Sequence, residues 1–409
     1  MPDSSFPAFH TRSFQEHGLW IFYSVLSGLL AGLAATVFLV LLKHATEFRM
    51  EHSGLIWLLP AAGFAIGWTY HHSGKSSAAG THLILDEIHD PQNVVPLRMA
   101  PLILASTLLT HLVGGSTGRE GTAVQMGASL SDQLSKVFPI RPEERRILLV
   151  AGAGASFGAA IGAPIAGVLF GMEVIHAGRL RPFAVIECMI ASAVAYEVTR
   201  LLHAPHSIFS QYSGSWFELR SFLIILGCGA VFGILARTFM AVTHLVERLQ
   251  VKWVQYPPLR PFYAGVLLAA LFKLGGLERY SGLGLGVIQN SFSVESPALD
   301  PVLKLLLTAL TIGSGFKGGE FIPLVFMGAT LGSALSHFDP GSLPLLTSVG
   351  FAAVFGAAAG APLTCAVMAM ELFGWKVAVY AVAGCFIGNL FSGSQTIYRS
   401  QSEVTSSRR

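Results

Sequence analysis

Two stretches of this chain repeat one another, and the shared letters include a proline and a glutamate, both unfavourable in a helix surrounded by lipid. Residues 157–173 have the sequence FGAAIGAPIAGVLFGME, and residues 355–371 have the sequence FGAAAGAPLTCAVMAME, at an offset of 198. Upstream, GREGTAVQMGASL from Gly118 matches GGEFIPLVFMGATL from Gly318 after a one-residue gap. Paired apolar segments that glycine and proline interrupt in both halves are typical of transporters with broken helices, where the ion binds near the interruptions. The sequence therefore predicts a tandem repeat.

Composition indicates the environment of the chain. Apolar residues make up 52% of the sequence, charged residues make up 12%, and the mean hydropathy is +0.60. Many apolar runs approach the roughly 20 residues that cross a bilayer as a helix. We therefore expect an all-α polytopic integral membrane protein whose surroundings are the lipid bilayer. The first apolar run, residues 19–42, lacks the basic start and the cleavage site of a signal peptide, so we expect it to stay in the mature protein.

Charge and cysteine content exclude several function classes. The net charge of +3 is too small to favour nucleic-acid binding. No CxxC spacing occurs, so neither a zinc site nor a disulfide framework is predicted. No metal or other cofactor is expected. The cysteines are predicted to be small core residues, and they are Cys188, Cys228, Cys365 and Cys385.

The apolar runs also predict how the chain is organised. We expect roughly ten to twelve helices, several of them too short to cross the bilayer. Four segments are predicted to begin at glycines inside the membrane, near residues 122–138, 157–175, 321–337 and 356–373. The predicted units are an N-terminal tail (1–18), a first membrane repeat (19–205), a linker (206–220), a second membrane repeat (221–400) and a C-terminal tail (401–409).

Glu120 is the first candidate for chemistry. A glycine-rich stretch, GGSTGREG from Gly114 to Gly121, places this acid where a turn leads into a helix. Helix N-termini bind anions through free backbone N–H groups and the helix dipole. An ionised carboxylate there occupies an anion position, whereas a protonated one swings away and carries a proton. The alternative is a structural acid at the helix start, paired with Arg119. The second repeat carries Glu320 near the corresponding helix start, which favours the functional interpretation.

These motifs carry a resemblance to a known family. GREG at 118–121, GGEFIP at 318–323, GAPIAGVLFGME at 162–173 and the late Tyr398 resemble the CLC family of anion channels and anion/proton antiporters over nearly the whole chain. The resemblance implies a homodimer with one anion pathway per subunit, and an inverted repeat of tilted and broken helices within each subunit. It also implies that Glu120 is the gating glutamate and that Tyr398 closes the inner side of the central anion site.

Departures from the usual chloride pattern are similar to the fluoride/proton branch of that family. Thr122 replaces the proline of GREGP, Glu320 precedes Phe321, and the sequence from Gly80 to Ile88 resembles the LILDEI segment of that branch. Thr81 departs from the branch, which usually has asparagine or methionine there, and its hydroxyl resembles the serine of chloride members. Val174 stands where chloride/proton antiporters carry an inner proton-transfer glutamate, so Glu320 is the expected substitute.

Two groups of site residues are therefore predicted. Gating and proton coupling are assigned to Glu120 and Glu320. The predicted anion-binding residues come from the helix starts and from the matched motifs, and they are Gly80, Thr81, Gly118, Arg119, Gly121, Thr122, Gly319, Phe321, Ile322 and Tyr398.

Structural alternatives remain open for several of these residues. Tyr398 also fits an aromatic belt residue, and Phe321 also fits a plain core position. Glu173 and Glu371 recur at helix ends, where capping and transport are equally reasonable. A metal site on the helical face of His82, Asp86 and His89 is less favoured than a solvated membrane edge.

The predicted function is secondary active transport: the protein exports fluoride in exchange for protons, and it is not an enzyme. The expected location is a bacterial inner membrane. The main alternative is a chloride-selective channel or chloride/proton antiporter. A remote alternative is an intramembrane serine hydrolase, because GxSxG occurs around Ser156; the second repeat has Val354 there.

Overall fold

A computed structural model describes residues 14–398 and 400–401. Most of the predicted N-terminal tail and nearly all of the predicted C-terminal tail lie outside these residues. The α-helices of the described part are α1 (Phe14–Glu51), α2 (Leu59–His72), α3 (Thr81–His89), α4 (Met99–Leu112), α5 (Glu120–Asp132), α6 (Leu134–Val137), α7 (Arg145–Ile161), α8 (Pro164–Glu173), α9 (Val185–Leu201), α10 (Leu219–Trp253), α11 (Leu259–Lys273), α12 (Leu285–Asn290), α13 (Asp300–Gly313), α14 (Phe321–Leu335), α15 (Leu343–Ala359), α16 (Pro362–Phe373) and α17 (Ala378–Ser392).

Short 3₁₀ helices and turns connect the α-helices of the described residues. The described residues form no β-strand, and the only extended pairings among them are two isolated bridges. Short 3₁₀ helices join the α-helices at Ser53–Leu58, Lys75–Ser77, Pro142–Glu144, Glu278–Tyr280, Ser336–Phe338, Pro340–Ser342 and Trp375–Val377. The all-α prediction is confirmed.

Helix lengths fit a bilayer only if the long helices tilt. Five segments are long and apolar enough to cross, namely Gln15–Glu51, Leu219–Trp253, Phe321–Phe338, Pro340–Ala359 and Trp375–Ser392. The 38 residues of α1 extend about 57 Å, and the 35 residues of α10 extend about 52 Å, against a hydrocarbon core of about 30 Å. Tilting places such helices in the membrane.

The repeated Gly-Ala-Pro runs break a helix in each half. In the first repeat α7 ends before Gly162, which has a left-handed φ of +86°, and α8 restarts at Pro164. In the second repeat α15 ends before Gly360, with a φ of +63°, and α16 restarts at Pro362. The prediction of single helices that begin at glycines near 157 and 356 was therefore wrong. Glycine adopts the left-handed cap, and proline starts the next helix because its missing N–H is not needed there.

The recurrent glutamates Glu173 and Glu371 cap one another's helices. The Glu173 carboxylate, at the end of α8, accepts hydrogen bonds from the backbone N–H groups of Leu363 (3.0 Å) and Thr364 (2.6 Å) at the start of α16. The Glu371 carboxylate, near the end of α16, accepts them from Ile165 (2.9 Å) and Ala166 (2.8 Å) at the start of α8. The end of each helix therefore meets the start of the other.

This reciprocity means that α8 and α16 are antiparallel and related by an approximate two-fold axis. The repeats are inverted, as the resemblance implied. Of the two alternatives for Glu173 and Glu371, the contacts favour capping, because each carboxylate satisfies N–H groups that a helix start leaves without partners.

Helix α5 crosses α7 closely, and α14 crosses α15 in the same way. A Cβ on Gly127 would lie 2.7 Å from the Gly152 carbonyl oxygen, and a Cβ on Gly328 would lie 2.0 Å from the Gly350 carbonyl oxygen. Both crossings thus require glycine. They fix the direction in which α5 and α14 approach the middle of the protein.

The exchanged caps generate a stability prediction. Glu371→Ala leaves the N–H groups of Ile165 and Ala166 without an acceptor, so we expect a loss of about 0.5–2 kcal/mol, the usual cost of removing a cap. Thermal unfolding of the detergent-purified protein, followed by size exclusion, measures it as a lower melting temperature. Glu197→Ala is the control, because Glu197 lies on the surface and pairs with Arg200. Equal melting temperatures for Glu371→Ala and Glu197→Ala would contradict a capping role.

Candidate functional site

The starts of α5 and α14 meet at a pair of glycines. Gly118 N–H donates to the Gly319 carbonyl (2.6 Å), and Gly319 N–H donates to the Gly118 carbonyl (2.8 Å). A Cβ on Gly118 would lie 2.9 Å from the Gly319 carbonyl oxygen, and a Cβ on Gly319 would lie 2.7 Å from the Gly121 nitrogen. Only glycine allows this approach. Two helix N-termini, each with its positive dipole end, therefore lie side by side.

The two acids beside this junction are not equivalent. Glu120 is the first residue of α5, whereas the first residue of α14 is Phe321 and Glu320 is the residue before it. From Met126 and Met327 onward the two sequences align at an offset of 201, which pairs Glu120 with Phe321. The acid that the sequence places near the start of α14 therefore lies one residue earlier, relative to the helix, than Glu120 does in α5.

Glu120 is enclosed, with an exposed fraction of 1%. Its carboxylate accepts a hydrogen bond from the Arg119 Nε (3.1 Å) and another from the Arg119 backbone N–H (3.3 Å). Arg119 also donates from Nη2 to the Ser207 hydroxyl (3.2 Å), in the segment between the repeats. The pairing of Glu120 with Arg119, offered as the structural alternative, is present.

A cavity of about 510 Å³ lies beside the glycine junction. Five of the predicted site residues line it, and they are Gly80, Thr81, Gly121, Glu320 and Tyr398. Glu120 is not among the lining residues. Of the two predicted proton-coupling residues, Glu320 therefore lines the cavity, and Glu120 is buried outside its lining.

The other predicted anion-binding residues are buried and do not line the cavity. Phe321 packs with its ring edge-to-face against Phe355 (centroids 4.6 Å apart) and Phe157 (5.7 Å apart). The Thr122 hydroxyl shares a hydrogen bond with the Thr107 hydroxyl (2.8 Å). The residues that do not line the cavity are Gly118, Arg119, Thr122, Gly319, Phe321 and Ile322.

Thr81 presents its hydroxyl beside the cavity. It is the first residue of α3, and the preceding Gly80 turns the chain with a φ of +58°. The Gln125 amide donates to the Thr81 Oγ1 (3.3 Å). Since a hydroxyl can donate one hydrogen bond while it accepts others, Thr81 retains a hydrogen for a further acceptor.

Sequence reasoning missed a charged cavity residue. Lys317 lines the cavity, with its ammonium 4.3 Å from the centroid of the Tyr70 ring. Gln125, His244 and Glu247 also line it from helices that are distant in sequence. An ionisable residue within an apolar run, as Lys317 is, was the available signal.

The face of α3 that carries His82, Asp86 and His89 does not gather ligands. The Asp86 carboxylate accepts a hydrogen bond from the Ser400 hydroxyl (2.7 Å), and the His89 ring lies edge-on to the His176 ring, with centroids 5.0 Å apart. A search of the described residues finds no group of three or more His, Cys, Asp or Glu side chains that is arranged to hold a metal.

Ser156 lies inside α7, where its hydroxyl packs against Gly127. A nucleophilic serine of the GxSxG type requires a sharp turn between a strand and a helix. The middle of a helix does not provide that geometry.

Comparison with known proteins decides the family. The sequence model described as "Voltage gated chloride channel" matches residues 62–393. The chain belongs to this family. It is a multi-pass membrane protein of a family of channels and transporters.

Individual relatives agree with that assignment. A chloride/fluoride channel protein of Pseudomonas syringae pv. tomato is 44% identical over 388 residues, which cover 93% of this chain and 86% of the relative. The crystal structure of a CLC-type fluoride/proton antiporter superimposes with a TM-score of 0.91 at 30% identity, over 95% of this chain and 99% of the other. A slow cyanobacterial Cl⁻/H⁺ antiporter superimposes with a TM-score of 0.82 at 21% identity, over 95% of this chain and 98% of the other, and shows the shared fold.

The cavity lining generates an accessibility prediction. In a Cys228→Ala background, Thr81→Cys should react with a charged, water-soluble thiol reagent, because Thr81 lines the cavity. Thr122→Cys is the matched control, since Thr122 is fully buried and lies outside the cavity lining. Mass spectrometry of the labelled protein measures the reaction. Equal labelling of the two variants would contradict the described cavity.

Proposed function

We propose that this protein exchanges fluoride for protons across a bacterial inner membrane. The observation that carries the proposal is the placement of two acids beside one junction of helix N-termini. Glu120 is buried, and Glu320 lines the cavity. Similarity to a fluoride/proton antiporter and to a chloride/fluoride channel protein supports the choice of ions.

The anion enters from the cavity, past Thr81 and Tyr398, and reaches the starts of α5 and α14. Free N–H groups and two positive dipole ends make this junction a favourable place for an anion. Ionised Glu120 competes for that place. Once protonated, Glu120 loses its attraction to the helix start and swings out, which admits the anion and takes a proton with it.

Glu320 supplies the second proton-transfer step. Val174, which stands where the resemblance puts the inner glutamate of chloride/proton antiporters, has an aliphatic side chain and is buried. Glu320 lines the cavity, where it exchanges protons with water. On this side of the protein, protons and anions thus pass through one cavity in opposite directions.

Three sequence features favour fluoride over chloride, and they are the GREGT, GGE and LILDEI-like runs. The hydroxyl of Thr81 is the single feature that favours chloride. Fluoride is strongly hydrated, so its pathway needs closely spaced donors to replace water. The paired helix starts provide such donors. The edges of aromatic rings, which carry partial positive charge, add to them, and Phe321 and Tyr398 are candidates.

The proposal includes a homodimer in which each subunit has its own pathway. Helices α9 and α17 carry exposed apolar side chains, among them Met189 at 55% and Leu390 at 71% exposure. A second copy of the chain or the lipid bilayer covers such surfaces.

Replacement of the gate acid tests the exchange. Glu120→Gln should abolish proton uptake driven by a fluoride gradient, because a permanently neutral amide does not carry a proton. Purified protein in liposomes with a pH-sensitive dye measures the uptake, and Glu278→Gln, at a surface ion pair with Lys273, is the control. Proton uptake by Glu120→Gln at the wild-type ratio of fluoride to protons would rule out the gating role.

A further inference from the structure

Lys317 is a cationic side chain on the cavity wall. It lies in the turn before α14, between Gly315, which has a φ of +107°, and the glycine pair that leads to Glu320. This turn borders the same cavity as Thr81, Glu320 and Tyr398. The positive charge of Lys317 therefore faces the cavity through which the anion and the proton pass.

The contacts of its ammonium leave much of its charge available. The Lys317 Nζ lies 4.3 Å from the centroid of the Tyr70 ring and 3.5 Å from the Ala78 carbonyl oxygen. Within the described residues it forms no ion pair. An ammonium has three N–H donors, and a ring face with one long carbonyl contact does not satisfy them all. Its position over Tyr70 is fixed by the cation–π contact, since a ring attracts a cation over its face.

Glu320 is three residues from Lys317 in sequence and lines the same cavity. The charges of the two side chains act on one another, although they do not form a direct ion pair. The net charge that an entering anion meets is therefore set by the protonation of Glu320. It is close to zero when Glu320 is ionised, and it is positive when Glu320 is protonated.

We propose that Lys317 links the binding of an anion in the cavity to the protonation of Glu320. The proposal rests on the exchange of anions for protons set out above. When Glu320 takes up a proton, the Lys317 charge is no longer compensated and attracts the anion. By reciprocity, a bound anion favours the protonated form of Glu320. Binding of the anion in the cavity and of the proton on Glu320 is thereby coupled without direct contact between the two ions.

Other titratable or charged groups face the cavity from the surrounding helices. The Arg260 guanidinium is turned to the carbonyl of Val254, to which its Nε donates at 3.0 Å. The remaining groups are left unsubstituted in every variant proposed below. They are Tyr70, His82, His244, Glu247 and Tyr398.

The test compares Lys317→Met, which removes the charge, with Lys317→Arg, which keeps it. The number of fluoride ions exchanged per proton is measured in liposomes from the voltage at which proton flux reverses. We expect Lys317→Met to slow exchange about tenfold or more, the effect of losing one charged partner, and to raise the number of fluoride ions per proton. Lys317→Arg should keep the wild-type ratio. Lys43→Met, at a surface lysine that pairs with Glu47, is the control.

A second arm separates a charge effect from a structural one. Glu320→Gln alone should abolish proton flux, and in that background Lys317→Met should slow anion movement with no further effect on protons, because Glu320 no longer titrates. Lys317→Gln replaces Lys317→Met if the latter does not elute as a single species. A folded variant without the Lys317 charge that retains the wild-type ratio overturns the inference. Failure of the wild-type protein to move protons at all would instead overturn the proposed exchange.

Discussion

The pair of backbone hydrogen bonds between Gly118 and Gly319 is the interaction on which the rest of the site depends. Lipid offers no partner for backbone N–H groups, so a helix that starts inside the membrane must be satisfied by protein or by the ion it carries. Here two helix starts hold one another through their glycines. Because no side chain intervenes, both dipole ends point into one small region. The selectivity of the region depends on this approach.

The inverted repeat is what makes such a junction possible. Glu173 and Glu371 cap helices of the opposite repeat, which fixes the antiparallel pair α8 and α16 about an approximate two-fold axis. The same symmetry brings α5 and α14 together with their starts facing. Function then arises from the departures from symmetry. The position that holds Glu120 in one repeat holds Phe321 in the other, so one helix start carries a carboxylate and the other carries an aromatic ring.

Much of this arrangement could be predicted from the sequence, because the repeat is written in glycine, proline and acid residues whose backbone roles are distinctive. Broken helices and the acid at the start of α5 follow from those letters. The positions of the breaks could not be predicted from the sequence, because glycine can end one helix or begin another. Only the cap geometry at Gly162 and Gly360 decides between these alternatives. Lys317 and Gln125 were missed because they reach the cavity from separate segments, and sequence spacing does not show which faces converge.

Ion selectivity is the most direct test of the account, because the helix junction, the ring edges and the acids are together assigned to a small, strongly hydrated anion. The decisive measurement is the rate at which wild-type protein in liposomes releases fluoride and chloride, followed with ion-selective electrodes under matched gradients. The account predicts that fluoride leaves much faster than chloride, and that Thr81→Ser preserves this preference. Chloride release as fast as fluoride release would contradict the account and would support the chloride-selective alternative.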